Sequence, residues 1–233
     1  MDKNVFEKDR WLSEVIALNS FKLVGSSFDL DKNKLSNLEF AYAKIPIDKL
    51  KELNYLISIG FELVETIINM ECNKIFIDKP NNIKCRLANP KDEKFVSEIA
   101  SRSFNYSRFH KDERISEKKA NHLKSEWVRS FFNGSRGEWM VVAEISNEIC
   151  GFLQLLKSKK KVVVIDLIAV KDKFRNKGIG KSMISYAFND CFNNQKTLIA
   201  GTQLTNFRSI SFYNKLGFKI KNAKHTLHYH KSD

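Results

Sequence analysis

The chain contains no apolar run long enough to cross a membrane. The longest, VVVIDLIAV at 162–170, is interrupted by Asp166 and falls far short of the roughly 20 residues a spanning helix needs. The N-terminal MDKNVFEKDRWLSEV has no basic cluster leading into an apolar stretch and no small-residue cleavage site, so no signal peptide is expected and the cytoplasm is the expected location. The four cysteines, Cys72, Cys85, Cys150 and Cys191, form no C-x-x-C pair and have no histidine at zinc-finger spacing; they read as buried thiols. Two phosphate-binding signatures are also incomplete. Arg175 stands where the first glycine of G-x-x-x-x-G-K-[ST] belongs, and Met183 where the last glycine of G-x-G-x-x-G belongs.

What is there is a chain of 233 residues with 42% hydrophobic composition, enough to bury a core as one large domain or a small domain joined to a larger one. Forty Lys and Arg against 27 Asp and Glu give a formal charge of +13. The excess is uneven: residues 1–82 carry 11 cations and 13 anions, residues 83–233 carry 29 and 14. A basic surface attracts phosphorylated small molecules and nucleic acid alike, and in a Lys- and Asn-rich chain much of it is solvated surface. Few aromatics sit among the lysines of KSKKK, whereas a nucleic-acid stripe needs them interleaved. Neither nucleic acid nor a membrane is expected as partner.

The first third of the chain reads as irregular. From Ile83 onward elements separate: a strand in IKCRLA, a turn at Asn89-Pro90, and a helix with Phe95, Val96, Ile99 and Ala100 on one face. A second helix runs over 116–134, from Ser116 to a C-terminal cap at Gly134. EWMVVAEI, EICGFLQLL and KVVVIDLIAV are three strands of a meander. Met183, Ile184, Ala187, Phe188, Cys191 and Phe192 then recur at helical spacing. A strand in TLIAGTQ, a helix around 207–216 closed by Gly217, and the alternating GFKI and HTLHYH complete an α+β, or mixed α/β, pattern.

KFRNKGIGKSM, at 173–183, lies between a strand and a helix. Unpaired N–H groups and the positive end of the dipole make such a helix entrance an anion site, and Gly178 and Gly180 allow close approach of the backbone. Arg175, Lys177 and Lys181 add charge. The same glycines also suit a plain tight turn.

This segment resembles the acetyl-coenzyme A motif of the GNAT superfamily of N-acetyltransferases, Arg/Gln-x-x-Gly-x-Gly/Ala, matched by Arg175, Gly178 and Gly180. The preceding IDLIAV resembles the family's fourth strand, and GTQLTNFRSISFYNKLGF at 201–218 its later motif, with Asn206 and Tyr213 in place. The resemblance covers roughly Ile83 to the C-terminus. It implies a GNAT-like fold, a central, mostly antiparallel mixed sheet flanked by helices. It also implies acetyl-CoA as cofactor, held by Leu167, Ile168, Ala169, Val170, Arg175, Asn176, Lys177, Gly178, Ile179, Gly180, Lys181, Ser182 and Asn206. A homodimer is admissible.

A narrower similarity, in ASRSFNYSRFHKDERI, in the GTQ before Asn206 and in the N-terminal AYAKIP and LNYLISIGFELVETIINM, is to the dTDP-fucosamine acetyltransferase group. It implies a nucleotide-linked amino sugar as acceptor and a small N-terminal α/β domain, residues 1–82, that partly copies the catalytic domain, residues 83–233. Residues 54–74 can be laid over 211–231, Gly60 on Gly217 and Phe61 on Phe218.

Amide formation needs a neutral amine, and the leaving thiolate is expelled better if it is protonated. The resemblance makes Tyr213 the general acid, whereas its spacing with Ile210 and Leu216 also suits a core residue. No base is assigned; Asp166 interrupts an apolar strand and suits a structural hydrogen-bonding role equally well. In SRFHKD, Arg108 is the candidate for a substrate diphosphate, Phe109 for stacking, and His110 for holding the acceptor. No metal is expected at His225, His228 and His230, which lack a fixed carboxylate companion in sequence. Two alternatives stand beside this reading: a GNAT enzyme acetylating a protein N-terminus, a polyamine or another small amine, and a basic nucleic-acid-binding module with a degenerate cofactor fold.

Overall fold

The computed structural model describes residues 5–73, 83–158, 162–191 and 197–231. Residues 5–73 form β1 (Phe6–Lys8), α1 (Arg10–Ile16), β2 (Ser20–Leu23), α2 (Lys32–Ser36), β3 (Phe40–Pro46), α3 (Leu50–Ser58) and β4 (Glu62–Cys72). From residue 83 follow β5 (Lys84–Leu87), α4 (Glu93–Ser103), α5 (Arg108–Lys111), α6 (Glu117–Phe132), β6 (Trp139–Ile145), β7 (Glu148–Ser158) and β8 (Val162–Val170). The chain closes with α7 (Ile179–Tyr186), β9 (Thr197–Gln203), α8 (Phe207–Lys215) and β10 (Lys219–His230). The first third is thus far from irregular. β1 and β2 are too short to display a period, and β3 is almost continuously buried, so alternation is hidden. Among the described residues no helix is long and apolar enough to cross a membrane.

The ten strands of the described residues join one sheet, in the order β1-β2-β3-β10-β4-β9-β8-β7-β6-β5. The meander β6-β7-β8 is antiparallel as its three apolar runs predict. Helices cover both faces. On one, α4 and α6 pack on Phe152, Leu167 and Ala169, while α1, α5 and α6 pack on Phe40 and Tyr42. On the other, α7 and α8 enclose Ile68, Met70 and Ile165, while α3 covers Ala41, Ala43 and Leu227.

The repeat between 54–74 and 211–231 appears in space as an exchange of strands. β10 lies between β3 and β4, and β4 lies between β10 and β9. Laying Gly60 on Gly217 also lays Ile67 on Lys224, and those two residues pair directly. Asn69 pairs with Asn222, and their counterparts Thr226 and Glu65 pair in turn. A pseudo-two-fold axis therefore passes through the Ile67–Lys224 pair. Away from the axis the contacts repeat: Gly217 sits against Cys72 Sγ, and Gly60 against the ring of Tyr229, the residue equivalent to Cys72. The division expected near residue 82 falls in 74–82, outside the described residues.

Both glycines end a helix with positive φ, 109° at Gly60 and 87° at Gly217, and let the next amide return to the helix: Phe61 to the Leu56 carbonyl and Phe218 to the Tyr213 carbonyl, each at 3.0 Å. Phe61 and Phe218 are then buried under the sheet. An added Cβ meets only ordinary contacts at either place, so the cost of Gly60→Ala and of Gly217→Ala is backbone strain, about 1 kcal/mol each. Urea denaturation should give similar losses for the two variants, as the pseudo-symmetry requires; a neutral effect at either would break the equivalence.

Candidate functional site

The site begins where two strands part. β8 runs parallel to β9 only from Val162/Thr197 to Ile165/Ala200. Beyond that point β8 follows β7 to Val170, while β9 follows β4 to Gln203. The register of β8 against β7 skips Asp166, a bulge that bends the strand out of the ladder. Arg136 grips Asp166 bidentately, with both N–H···O distances 2.7 Å, and Trp127 Nε1 donates to it at 2.9 Å. Asp166 is thereby the anchor of the bulge, fully engaged by a guanidinium and an indole. On the β9 side of the fork no strand among the described residues pairs with Leu167, Ile168, Ala169 or Val170.

At the mouth of the fork the chain turns into α7. The Ser182 amide reaches the Gly178 carbonyl at 2.9 Å, whereas the six preceding amides, Asn176 to Lys181, have no acceptor among the described residues. Asn176 (φ 65°) and Gly178 (φ 80°) are left-handed, and alternating hands turn successive N–H groups toward one point. With Gly178 at the N-cap no side chain blocks the opening. This nest fits a pyrophosphate. Arg175, held to the Val170 carbonyl (3.2 Å) and to Asp172 (2.5 Å), lies at its rim. Lys177 rests over the Phe174 ring, and the Ser182 hydroxyl is spent on the Gly178 carbonyl at 3.1 Å.

Two contacts tie α8 to this loop. Arg208 donates to the Asn176 side chain at 2.9 Å, and Phe212 lies so close to Gly180 that a Cβ there would stand 3.0 Å from its ring. Asn206 uses its side-chain oxygen as the helix cap, accepting from the Ser209 amide at 3.1 Å. Tyr213, the residue after Phe212, is buried in the same core cluster as Ile179 and Met183 of α7. It is buried at 3% exposure, and burial raises its hydroxyl above the usual tyrosine value. The hydroxyl has no partner among the described residues, yet it is not sealed off like the orphan hydroxyls of Ser97 and Thr226.

The other expected substrate residues lie on the opposite face. Arg108 is sandwiched between the rings of Tyr42 and Phe109 and donates to His228 Nε2 at 3.0 Å. Phe109 is enclosed at 1% exposure among Leu12, Ile16, Phe40 and Leu123, which corrects the expectation that it stacks on a ligand: it is a core residue. Both nitrogens of His110 are engaged, Nδ1 with Ser107 at 2.6 Å and Nε2 with Asn121 at 2.9 Å.

The histidines of β10 do acquire a carboxylate, one that the sequence does not place near them. Asp112 Oδ2 lies 2.5 Å from His228 Nδ1 and 2.8 Å from His230 Nε2. Burial opposes the charge on Asp112, but the two histidine hydrogen bonds outweigh it and hold the carboxyl below its usual range. Arginine only donates, so Arg108 leaves the imidazole proton of His228 on Nδ1, where it donates to Asp112. With that proton in place the Nδ1–H of His228 is a donor to Asp112, and the Nε2 lone pair is taken by Arg108.

Two more buried charges escaped the sequence reading. Lys124 of α6 is 6% exposed, lies over Trp127 and Phe104, and is brought down to about 8 by burial. Glu65 of β4 is 9% exposed and raised by burial. Nothing in HLKSEW or LVETI distinguishes these charges from solvated ones, because their neighbours come from other elements. The thiols of Cys85 and Cys150 are pushed up by burial to about 12 and about 11, which removes them as nucleophiles.

Comparison with known proteins places this geometry. The chain is 26% identical over 232 residues to the spore coat polysaccharide biosynthesis protein SpsD of Bacillus subtilis, covering 97% of this chain and 80% of that protein. A conserved protein of unknown function from Staphylococcus epidermidis has the same fold, with a TM-score of 0.69 at 11% identity over 99% of this chain and 92% of that one. A tandem GNAT protein from the clavulanic acid pathway superposes with a TM-score of 0.61 at 8% identity, over 92% of this chain and 76% of its own. Residues 95–218, more than half of the chain, match the acetyltransferase (GNAT) family, and the chain belongs to that family.

Proposed function

We propose that this N-acetyltransferase moves the acetyl group of acetyl-CoA to the amine of a nucleotide-linked amino sugar in polysaccharide synthesis. Acetyl transfer from acetyl-CoA follows from family membership. The acceptor is our reading, supported by likeness over nearly the whole chain to a polysaccharide biosynthesis protein. The observation that carries the chemistry is the run of six amides, Asn176 to Lys181, that have no acceptor among the described residues, at the entrance of the helix whose Ile179 and Met183 share a core cluster with Tyr213.

Bound acetyl-CoA supplies a thioester activated toward amines. The amides from Asn176 to Lys181, with Gly178 and Gly180 at close approach and Arg175 at the rim, hold the pyrophosphate. The open edge of Leu167 to Val170 receives the arm as an added strand. Tyr213 keeps its proton at neutral pH because burial disfavours the phenolate, and it gives that proton to the departing sulfur. Lys44, Arg108 and Lys124, on the other face, suit an acceptor that carries a diphosphate.

Tyr213→Phe should lower kcat by about 100-fold and leave the Kd of acetyl-CoA within twofold by calorimetry; unchanged turnover would remove the proton-donor role. Gly178→Ala should weaken coenzyme A binding by about tenfold, since the φ of 80° strains any Cβ and relief of that strain shifts the amides around it. Equal affinity would place the pyrophosphate elsewhere. A thiol-release assay with dTDP-4-amino-4,6-dideoxygalactose, spermidine and a free peptide N-terminus should favour the sugar by at least about 100-fold in kcat/KM. Preference for the polyamine or the peptide would replace the sugar reading.

A further inference from the structure

Three strands carry one row of side chains across the face opposite Tyr213. Lys44 of β3 pairs with Thr226 of β10, and Thr226 pairs with Glu65 of β4, so all three project from the same side. The row is open to solvent at Lys44 and buried at Glu65. Gln203, three residues past Ala200 where β9 leaves β8, donates to Glu65 Oε2 at 3.1 Å. The carboxylate is thereby fastened to one arm of the fork. Its second oxygen, Oε1, has no partner among the described residues and retains access to solvent, and the neighbouring Thr226 Oγ1 is buried without any partner. The Lys124 ammonium is likewise without a hydrogen-bonded anion among the described residues; it lies over Phe104 and over Trp127, whose indole fixes the Asp166 bulge at the origin of the fork.

We propose that Glu65, supplied by the N-terminal half of the chain, receives the ammonium group of the acceptor and takes its proton. This rests on acetyl transfer to an amine and on Tyr213 as acid, but not on which amine is used. Glu65 Oε1 accepts one ammonium proton as the N–H bond breaks, and the freed lone pair forms the new C–N bond while the C–S bond opens. Tyr213 protonates the sulfur, the nitrogen's second proton returns to the Tyr213 oxygen, and Glu65 releases its proton to water. One proton leaves per turnover. Acid and base thus act from opposite faces of the sheet, with the fork between them.

Several features suit Glu65 to this task. The groups that face it are Lys44 on β3, Arg108 on α5, Lys124 on α6, Gln203 on β9 and Thr226 on β10, with His228 one row further along β10. Burial raises its pKa above the ordinary carboxylate value, while the three cations and Gln203 oppose that rise, and a raised pKa makes the carboxylate a stronger base. Asp166, the acid in the strand of the fork, is already occupied by Arg136 and Trp127. Among the described residues beside the fork, Glu65 is the carboxylate with an oxygen to spare.

The test uses the full chain with Glu65→Gln and Glu65→Asp, acetyl-CoA, and whichever amine of the panel is turned over fastest. Glu65→Gln should lose about 100- to 1,000-fold in kcat/KM at pH 7 together with the acid limb of its pH profile, and Glu65→Asp should recover at least about tenfold. Acetyl-CoA affinity should stay within twofold in both. A melting series supplies a readout that needs no acceptor. A carboxyl whose folded pKa is raised costs stability above that pKa and nothing below the unfolded value near ~4.3. Glu65→Gln should therefore melt higher than the parent at pH 8, the difference shrinking as pH falls and vanishing below about 4.3. A variant that keeps more than half of its turnover with an unchanged pH profile, or that melts lower at pH 8, overturns the proposal and leaves Glu65 a structural ion partner. Failure of the dTDP sugar with success of another amine overturns the sugar reading alone.

Discussion

The pairing of β10 with β4 is the joint on which the rest depends. Each strand leaves its own helix through a left-handed glycine and crosses to lie beside the other half of the chain. Because β4 then sits between β10 and β9, the arm of the fork carrying Gln203 has a full ladder partner and can bend away from β8 without exposing its backbone. A fork in a sheet would otherwise leave two edges. Here one edge is filled by β4 and the other stays open along Leu167 to Val170, which is where the cofactor is proposed to lie.

The two ends of that opening are charged in different ways. At α7 the attraction comes from the backbone, six amides converging where a side chain would be in the way. On the far face it comes from Lys44, Arg108 and Lys124, arranged about Glu65. Leaving Lys124 and Glu65 incompletely paired under the helices is costly for the fold. The nearby relay through His228, Asp112 and His230, by contrast, is closed at every link, and it holds Arg108 in place between Tyr42 and Phe109.

Much of this was legible in local sequence, and the reason differs from element to element. The meander, the helices over 93–103 and 117–132, and the strand-loop-helix around Gly178 announce themselves because their neighbours in space are neighbours in sequence. Short β1 and β2 and the doubly covered β3 display no such signal. Phe109 misled because a phenylalanine between an arginine and a histidine looks exposed, whereas α1 and α6 close over it. Histidines 228 and 230 lacked a carboxylate only in sequence; Asp112 comes from the loop after α5.

What the sequence by itself determined is the chemistry that needs a few consecutive residues: a glycine-bearing turn into a helix, an asparagine cap, a tyrosine two turns on, and the two equivalent helix-turn-strand units. Only the tertiary structure decided that those units exchange strands, that Asp166 is a bulge anchor, and that Lys44, Thr226 and Glu65 form one row. The reason is physical. A backbone nest is made by dihedral angles within one segment, but the burial of a charge and the neighbours it meets depend on strands that lie side by side only after the chain has closed its sheet.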